Sequence, residues 1–486
     1  KLSLSAKGDG SIISPPLEKT SYEVKPLNGV TKKVFLKFLD SLESETTYTI
    51  NFGNSIKDNN EGNPLTFFNY TFSTGETIDS LYVKGNISDA YDFETDNYIS
   101  LHLYRIDSIF KDSVIFNDRP TYIANSLDST SYQFQNIKEG KYLIIALKDV
   151  DNNYFFDPFF DKIGFVDSLI TLPRDSIIDF RLFKEETALI WDKPHFINSE
   201  KIGFGYYGKL DLKNIEIESS IPDSVQYTFT KEFEKDTLNF WLSRNSFDSL
   251  NFNLIEKDTI KLVTIKFDRA RDTLIDSLSI SPKTTNVIHL KETFKLSSNI
   301  PLKNIKDSLI TIRDIDSLVV PFTTSINDNL DEIDIKFEVS PSDNYRIFIL
   351  PKSIRDIRGV VNDTLEYSVV SQSIEDYGNV YLDIIRNNES KFILHMLNSN
   401  GDIIREFNNV SENSTYNFEY IRPGKYTFRL IEDSNNNNIW DTGNYLRKVQ
   451  PEPVYYFSNE IEVRANWDLN EIFDLNQTQI IKDSIN

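Results

Sequence analysis

The 486-residue sequence contains no cysteine, which excludes disulfide bonds, thiolate zinc sites and cysteine nucleophiles together. Glycine and proline are scarce, at 17 residues each, so collagen-like and flexible low-complexity tracts are absent. The four histidines, His102, His195, His289 and His395, lie far apart and form no two-histidine metal motif. No apolar run approaches the roughly 20 residues that a transmembrane helix needs. These absences remove several common signatures of catalysis, and we expect each histidine to be structural.

Positive charge is also in short supply. The chain has 52 basic and 74 acidic residues, for a net charge of −22. A nucleic-acid-binding protein needs a basic surface, so the balance argues against a nucleic-acid partner. It equally disfavours electrostatic docking to anionic lipid. The hydrophobic content of 39% is nevertheless sufficient to build folded cores.

One stretch of the sequence occurs twice. Residues 137–157 and 421–441 align without a gap, and both contain Gly-Lys-Tyr, starting at Gly140 and Gly424, before an apolar run and an Asx-rich loop. Such a repeat indicates duplicated modules. Period-two alternation, as in residues 34–38 and 47–52, predicts half-buried strands, and no helical period persists along the chain. The sequence therefore predicts an all-β fold, a tandem array of about five β-sandwich domains.

The opening residues resemble a known family. Thr47-Tyr48, Ile56-Lys-Asp58 and Phe72-Ser-Thr-Gly75 are similar to the bacterial Ig-like domain of Bacteroidota surface lipoproteins, and Tyr345 and Ser353-Ile-Arg-Asp356 mark a second copy. Residues 76–186, with the Gly-Lys-Tyr strand, resemble the transthyretin-like (carboxypeptidase regulatory-like) sandwich, as does a second copy closing near Trp467. If Lys295-Leu296 corresponds to Lys1-Leu2, the first Ig-like domain is clipped within its opening strand.

These resemblances predict five domains. In chain order they are a bacterial Ig-like domain at 1–75, a transthyretin-like domain at 76–186, an Ig-like β-sandwich at 187–284, a second bacterial Ig-like domain at 285–372, and a second transthyretin-like domain with a polar tail at 373–486. Residues 203–208 satisfy G-x-G-x-x-G, but alternation predicts that they are followed by a strand, and nucleotide binding needs a helix there.

The Asx-rich loops are the candidate metal sites. Their oxygen-bearing residues follow a calcium-loop spacing, with ligands at alternate positions: Asp149, Asp151, Asn153 and Asp157 in the first loop, and Asp433, Asn435, Asn437 and Asp441 in the second. Position 6 lacks the usual glycine and position 12 lacks glutamate. The alternative is a turn in which Asp and Asn bond their own backbone. Calcium is thus a possible cofactor, and none is required.

The resemblance also implies a location. We expect an outer-membrane lipoprotein that faces the cell exterior, with a signal peptide and a lipid-bearing cysteine upstream of Lys1 as its only membrane contact. Asp-Ser/Thr-apolar triplets such as Asp40-Ser41-Leu42 and Asp272-Thr273-Leu274 recur along the chain. They resemble the O-glycosylation sequon of exported Bacteroidota proteins, although such triplets also simply end turns and open strands.

No active site follows from the resemblance, so a non-enzymatic role is predicted. The favoured function is a scaffold or interaction subunit of an outer-membrane assembly, such as an importer, a secretion channel or the barrel-assembly machinery. Its partners would be outer-membrane proteins or other surface lipoproteins. The alternative is a carbohydrate-binding surface protein of a glycan-utilisation system, in which exposed, coplanar Trp191, Trp241, Trp440 and Trp467 would form a binding platform.

Overall fold

The structure is a computed structural model that describes residues 2–4, 12–18, 20–25, 29–31, 33–53, 56–58, 61–63, 65, 68–106, 111–126, 129–233, 235–244, 247–267, 277–386, 390–410 and 414–476. The triplet at residues 272–274 and most of the predicted polar tail lie outside these ranges. Within them the chain is almost entirely strand, with one short α-helix, Val114–Asn117, and three 3-10 helices, Leu212–Asn214, Asp307–Leu309 and Ile374–Asp376. The predicted all-β array is confirmed.

The described strands fall into five groups, called here the first to fifth units, and no sheet among them joins two units. The first unit has β1 (Leu2–Leu4), β2 (Ile12–Ser14), β3 (Tyr22–Lys25), β4 (Gly29–Thr31), β5 (Phe35–Phe38), β6 (Thr47–Asn51), β7 (Ile56–Asp58) and β8 (Asn69–Ser73). The second has β9 (Leu81–Asp89), β10 (Ser100–Arg105), β11 (Tyr122–Asn125), β12 (Ser131–Ile137), β13 (Gly140–Lys148), β14 (Lys162–Phe165), β15 (Ile170–Leu172) and β16 (Phe180–Leu182).

The third unit has β17 (Ile190–Trp191), β18 (His195–Asn198), β19 (Lys201–Tyr207), β20 (Ile215–Ile217), β21 (Tyr227–Lys231), β22 (Thr237–Leu242), β23 (Ser249–Glu256) and β24 (Thr259–Lys266). The fourth has β25 (Ile280–Pro282), β26 (Val287–Ile288), β27 (Phe294–Ser298), β28 (Leu302–Ile305), β29 (Ile310–Arg313), β30 (Phe322–Ile326), β31 (Glu332–Phe337), β32 (Asn344–Ile349), β33 (Ile354–Asp356) and β34 (Leu365–Ser371). The fifth has β35 (Gly378–Ile385), β36 (Lys391–Asn398), β37 (Ile403–Val410), β38 (Ser414–Ile421), β39 (Gly424–Asp433), β40 (Val454–Tyr456), β41 (Ile461–Val463) and β42 (Asp468–Asp474).

The second and fifth units share one topology. In each, a three-stranded sheet pairs its first strand antiparallel on one side and parallel on the other, in the orders β12-β9-β16 and β38-β35-β42. The facing sheets follow the orders β11-β10-β13-β14 and β37-β36-β39-β40, and β15 and β41 pair with β13 and β39. The duplication predicted from the aligned stretch is therefore confirmed.

The repeated Gly-Lys-Tyr triplets have the same structural role in both copies. Tyr142 and Tyr426 are buried in the cores of their units. Each tyrosine hydroxyl donates to the carbonyl oxygen four residues earlier, at 2.8 Å. A Cβ on Gly140 or Gly424 would lie 3.5 Å from the tyrosine ring. The tyrosine ring thus packs over the glycine, and its hydroxyl bond fixes the turn against the core.

The first and fourth units also correspond. The buried hydroxyls of Tyr48 and Tyr345 each accept a hydrogen bond from the backbone N–H five residues earlier. The predicted match of Lys1-Leu2 with Lys295-Leu296 is wrong, however. Leu2 pairs with Asp58, and the equivalent Asp356 pairs with Leu302. Two identical residues are too short a match to determine strand register.

β25 belongs to the fourth unit, although it lies before the predicted boundary between residues 284 and 285. It pairs with β27 of that unit. Leu278 and Ile280 pack against the core of the fourth unit, which keeps this segment with that sheet. Residues 203–207 lie in β19, and the next helical segment is the three-residue 3-10 helix Leu212–Asn214, which is not the longer helix that nucleotide binding requires.

Each unit from the second to the fourth contacts the next one, and the fifth also contacts the second. The Phe160 and Tyr207 rings meet between the second and third units. Trp241 of the third unit packs in one cluster with Ile300 and Ile357 of the fourth. An ion pair joins Lys291 of the fourth unit to Glu419 of the fifth, and the fifth unit returns to the second through the interface described below.

Candidate functional site

Both predicted calcium loops are turns held by a carboxylate at their first position. Asp149 accepts hydrogen bonds from the N–H groups four and five residues later, at 3.2 and 2.8 Å. Asp433 makes the same pair of bonds, at 3.0 and 2.9 Å. In both loops the residues at positions 4 and 6 have positive φ, between 53° and 67°. The two Asx loops therefore have one backbone conformation.

A second carboxylate closes each loop. Asp161 accepts from the N–H groups of Val150 and Asp157, at 2.9 and 2.8 Å. In the other loop Glu452 accepts from the equivalent residues, at 2.7 and 3.0 Å. Burial raises the pKa of the Asp161 and Glu452 carboxyls, and the backbone donors oppose that shift. The closing residue comes from a different position in each copy, so the alignment did not reveal Glu452.

The remaining predicted ligands also serve the turns, with one exception. Asn153 and Asp157 each accept a bond from the N–H two residues later. Asn435 and Asn437 donate their side-chain amides to one oxygen of Asp441, at 2.5 and 2.8 Å. Asp151 is exposed.

The oxygen atoms of these loops are arranged to accept hydrogen bonds, mostly from backbone N–H groups. No group of three His, Cys, Asp or Glu side chains suited to a metal ion occurs in the part of the chain that the structure describes. The hydrogen bonds account for the Asx residues without a cation, as in an ordinary Asx turn. Calcium binding stays a prediction.

The two loops deliver aromatic residues to the same hydrophobic cluster. Phe156 and Trp440 are equivalent in the repeat, each directly preceding the final loop aspartate. Phe156 is buried beside Phe116, and its N–H donates to the Ile115 carbonyl at 2.9 Å. Trp440 packs against that cluster from the fifth unit, and its ring lies 4.7 Å from that of Tyr91. The loops thus position the contact between the two copies.

The segment after the second Asx loop, residues 440–450, is called here the clasp. Tyr445 at its centre is completely buried within the cluster of the second unit. Its hydroxyl donates to the Asp112 carbonyl at 3.0 Å, and its N–H donates to the Glu185 carboxylate at 2.5 Å. Gln450 donates to Asp167 at 2.8 Å. The clasp holds the fifth unit against the second through buried apolar area and hydrogen bonds together.

A buried arginine forms the other part of this interface. Arg429 is 4% exposed, and its guanidinium lies 4.1 Å over the Tyr91 ring of the second unit. It donates to the hydroxyls of Tyr91 and Tyr456, at 2.8 and 3.3 Å, and to Nδ1 of His395 at 3.0 Å. A buried charge needs such donors satisfied. The cation–π contact and the hydrogen bonds to neutral acceptors stabilise this buried charge between the second and fifth units.

His395 must be neutral in this arrangement, because its Nδ1 accepts from Arg429. Burial lowers the pKa of His395, as does the adjacent arginine, while Glu406, 3.2 Å from Nε2, raises it. Burial also lowers the pKa of His102 and His289. These environments agree with structural roles for three of the four histidines, whereas His195 is exposed on β18.

The tryptophans do not form a common platform. Trp191 and Trp241 are buried in or beside the third unit, and Trp440 is half-buried in the clasp. Trp467, at 53% exposed, lies in the fifth unit. The arrangement that the carbohydrate alternative required of these four residues is absent.

Comparison with known proteins identifies one family. Residues 5–74 match the model of the bacterial Ig-like domain, a range that contains β2 to β8 of the first unit, and no curated protein matches the chain. The chain is thus an all-β array of β-sandwich domains, in which residues 5–74 match a bacterial Ig-like domain.

Solved structures give only distant similarities. A Bacteroides ovatus mixed-linkage glucan utilization locus protein, SGBP-B, is 12% identical, with 78% of this chain and 94% of that chain covered at a TM-score of 0.18. The major pilin subunit of Bacillus cereus is 12% identical, with coverages of 82% and 99% at 0.15. Domains 4–9 of surface layer protein SbsC are 10% identical, with coverages of 96% and 66% at 0.19. Values this low carry no functional argument.

Proposed function

We propose that this chain is a non-enzymatic surface scaffold, an interaction subunit of an outer-membrane protein assembly. The interface between the second and fifth units carries the proposal. Tandem sandwiches joined only end to end bend at their linkers, whereas contacts between distant units hold several domains in a fixed arrangement. Clasp residues such as Tyr445 and the buried Arg429 provide such contacts.

The fold leaves surfaces on which partners can dock. Among the described strands, β24 pairs only with β23 and forms an edge of its sheet. Ile260 and Leu262 of this strand are exposed, at 64% and 57%. Long edge strands with apolar residues are templates for strand addition by another chain. Outer-membrane proteins or other surface lipoproteins are the proposed partners.

We place the protein at the cell surface, anchored to the outer membrane by a lipid on a cysteine upstream of Lys1. Among the described residues no helix has the length and apolar character to cross a bilayer. Intact-mass analysis of the native protein tests the anchor: a diacylated or triacylated N-terminal cysteine supports it, and a mature N-terminus at Lys1 without lipid contradicts it.

Glycosylation at Asp-Ser/Thr-apolar triplets is part of the same proposal. Ser41, Ser80, Ser317 and Thr364 belong to such triplets and are exposed. Peptide mapping of the natively produced protein should find hexose-bearing peptides at one or more of these residues. Unmodified peptides at all of them would leave the triplets as turn sequences only.

Co-purification tests the scaffold role most directly. The native protein, cross-linked in intact cells and isolated with its lipid anchor, should bring down a defined outer-membrane partner in a constant ratio. The same isolation from cells that produce Tyr445→Ala should recover less partner, because the clasp no longer fixes the fifth unit. Leu446→Ala, an exposed position in the same segment, is the control. Recovery of no reproducible partner contradicts the proposal.

A further inference from the structure

A polar cleft lies between the first and second units. Its volume is about 540 Å³, within the range of roughly 300–1,000 Å³ that is typical of small-ligand sites. Asn51 and Asn69 form its wall on the first unit. The second unit contributes the outward face of β9 and β12 and the end of β11. Both units are therefore needed to form it.

Amides dominate the lining. Four asparagines and two glutamines contribute to the cleft together with three serines: Asn51, Asn69, Asn86, Asn125, Gln133, Gln135, Ser126, Ser129 and Ser131. Lys84 is the one charged side chain among the described lining residues, and the carboxylate of Asp179 lies beside them, where it accepts from the Asn86 backbone N–H at 2.6 Å. A single charged lining residue is unusual in a chain with 74 acidic residues. The lining favours a ligand rich in hydrogen-bonding groups, and the net charge of −22 disfavours an anion.

Strand register sets the polar groups in a regular array. Lys84 is opposite Gln133, and Asn86 is opposite Ser131, in the antiparallel pair of β9 and β12. Opposed side chains in such a pair lie about 5 Å apart, and residues two apart on one strand lie about 7 Å apart. Lys84, Asn86 and Gln133 are exposed and make no side-chain hydrogen bond or ion pair to another described residue. Their donors and acceptors are available to a ligand.

The duplicated fifth unit provides an internal comparison. The same face of its sheet has Tyr381 opposite Asn417 and Asp383 opposite Thr415. There Thr415 already donates to Asp383, and Glu419, at the position of Gln135, is paired with a lysine of the fourth unit. In the second copy, the position of Asn86 is thus occupied by the hydrogen-bonded Asp383 and that of Gln135 by the ion-paired Glu419, whereas the amide of Gln133 is retained as Asn417.

We infer that the cleft between the first and second units binds a neutral, hydroxyl-rich ligand, an uncharged oligosaccharide. An amide side chain offers both a donor and an acceptor, so Asn86 and Gln133 can each pair with adjacent sugar hydroxyls. Lys84 adds a donor, and the exposed Ile177 at the rim offers an apolar contact for the C–H face of a sugar ring. This activity is separate from the scaffold role and does not depend on it.

Isothermal titration of the full chain with cellohexaose, maltohexaose, mannohexaose and xylohexaose tests the inference. At least one should bind with a dissociation constant between about 10 μM and 1 mM, which corresponds to roughly 4–7 kcal/mol. Asn86→Ala and Gln133→Ala should each weaken binding about three- to ten-fold, as expected for loss of one side chain's hydrogen bonds. Both positions are exposed, so the variants should retain the wild-type melting temperature.

Asn417→Ala is the matched control, since it removes the equivalent amide in the fifth unit, and it should leave the affinity unchanged. No binding by any of the four sugars overturns the inference. Equal binding by wild type and both cleft variants also overturns it, as does binding of extended peptides in place of sugars. None of these outcomes affects recovery of a membrane partner, so the two proposals fail independently.

Discussion

Replacing Tyr445 with alanine should open the interface between the second and fifth units while both units remain folded. The side chain is completely buried, and the residue belongs to the clasp and not to a strand of its own unit's core. Its ring meets Phe165 edge-on at 5.4 Å, and Lys448 lies 3.9 Å above it. The hydroxyl bond to the Asp112 carbonyl is also lost.

The magnitude follows from the kind of group removed. Truncating a buried aromatic side chain to alanine costs about 3–5 kcal/mol. If that loss falls on the interface, the open population rises by two to nearly four powers of ten, at about 1.4 kcal/mol per factor of ten. Tyr445→Phe keeps the ring and removes only the hydroxyl, so it should cost about 1–3 kcal/mol, the range for an unsatisfied buried acceptor.

Hydrogen exchange followed by mass spectrometry measures this opening. In Tyr445→Ala, peptides from β14 and from residues 440–450 should exchange much faster than in the wild type, while the central strands β36 and β39 stay protected. Leu446→Ala, exposed in the same segment, should exchange like the wild type. Wild-type exchange in Tyr445→Ala, or equal loss of protection in β36 and β39, would refute the interpretation of an interface that opens separately.

Three further predictions concern titration and the loops. Burial lowers the pKa of His102 to about 3, so the stability that this neutral histidine confers is present above about pH 6.5 and is lost as the pH falls toward 3. Urea unfolding should therefore show that His102→Gln reduces the pH dependence of the unfolding free energy, by up to about 1.4 kcal/mol per pH unit between pH 4 and 6. Asp161→Ala should lower the unfolding free energy by about 1–3 kcal/mol, because two part-buried backbone N–H groups lose their acceptor. Asp151→Ala, at an exposed position, should change it by less than about 0.5 kcal/mol, and equal effects would contradict the turn geometry. Calcium, if it binds, should prefer the loop at Asp149 over that at Asp433, and millimolar calcium should add roughly 0.4–1.4 kcal/mol, reversed by chelator and by Asp151→Ala; identical melting in calcium and chelator would leave the loop a turn.

Local patterns predicted the repeated parts of the fold correctly. Alternation identified the strands, and the Gly-Lys-Tyr alignment placed Tyr142 and Tyr426 in equivalent core positions. These features succeed because period-two burial and a tight turn are encoded within a few residues. The register of the first strand failed for the opposite reason: the partner of Leu2 is Asp58, and pairing over that distance has no local signal.

The contacts between units could not be predicted from local sequence patterns. Tyr445 packs on residues more than 250 positions earlier in the chain, and its own surroundings predict only a loop. Arg429 occupies a strand position at which a charged residue predicts a solvent-facing side, yet a tyrosine from another unit covers it. One signal was present. Phe156 and Trp440 align as aromatic residues in two Asx-rich loops, and such residues indicate a covered surface.

Cross-linking tests the central claim, a scaffold whose duplicated units hold each other, most directly. Because the chain has no cysteine, Asp167→Cys with Gln450→Cys supplies the only two thiols, at side chains that hydrogen-bond across the interface. A short bis-maleimide should close a loop within the monomer, seen as faster migration on a denaturing gel, and the added Tyr445→Ala change should reduce its yield. No intramolecular cross-link in the folded double-cysteine protein, or one insensitive to Tyr445→Ala, would contradict the account.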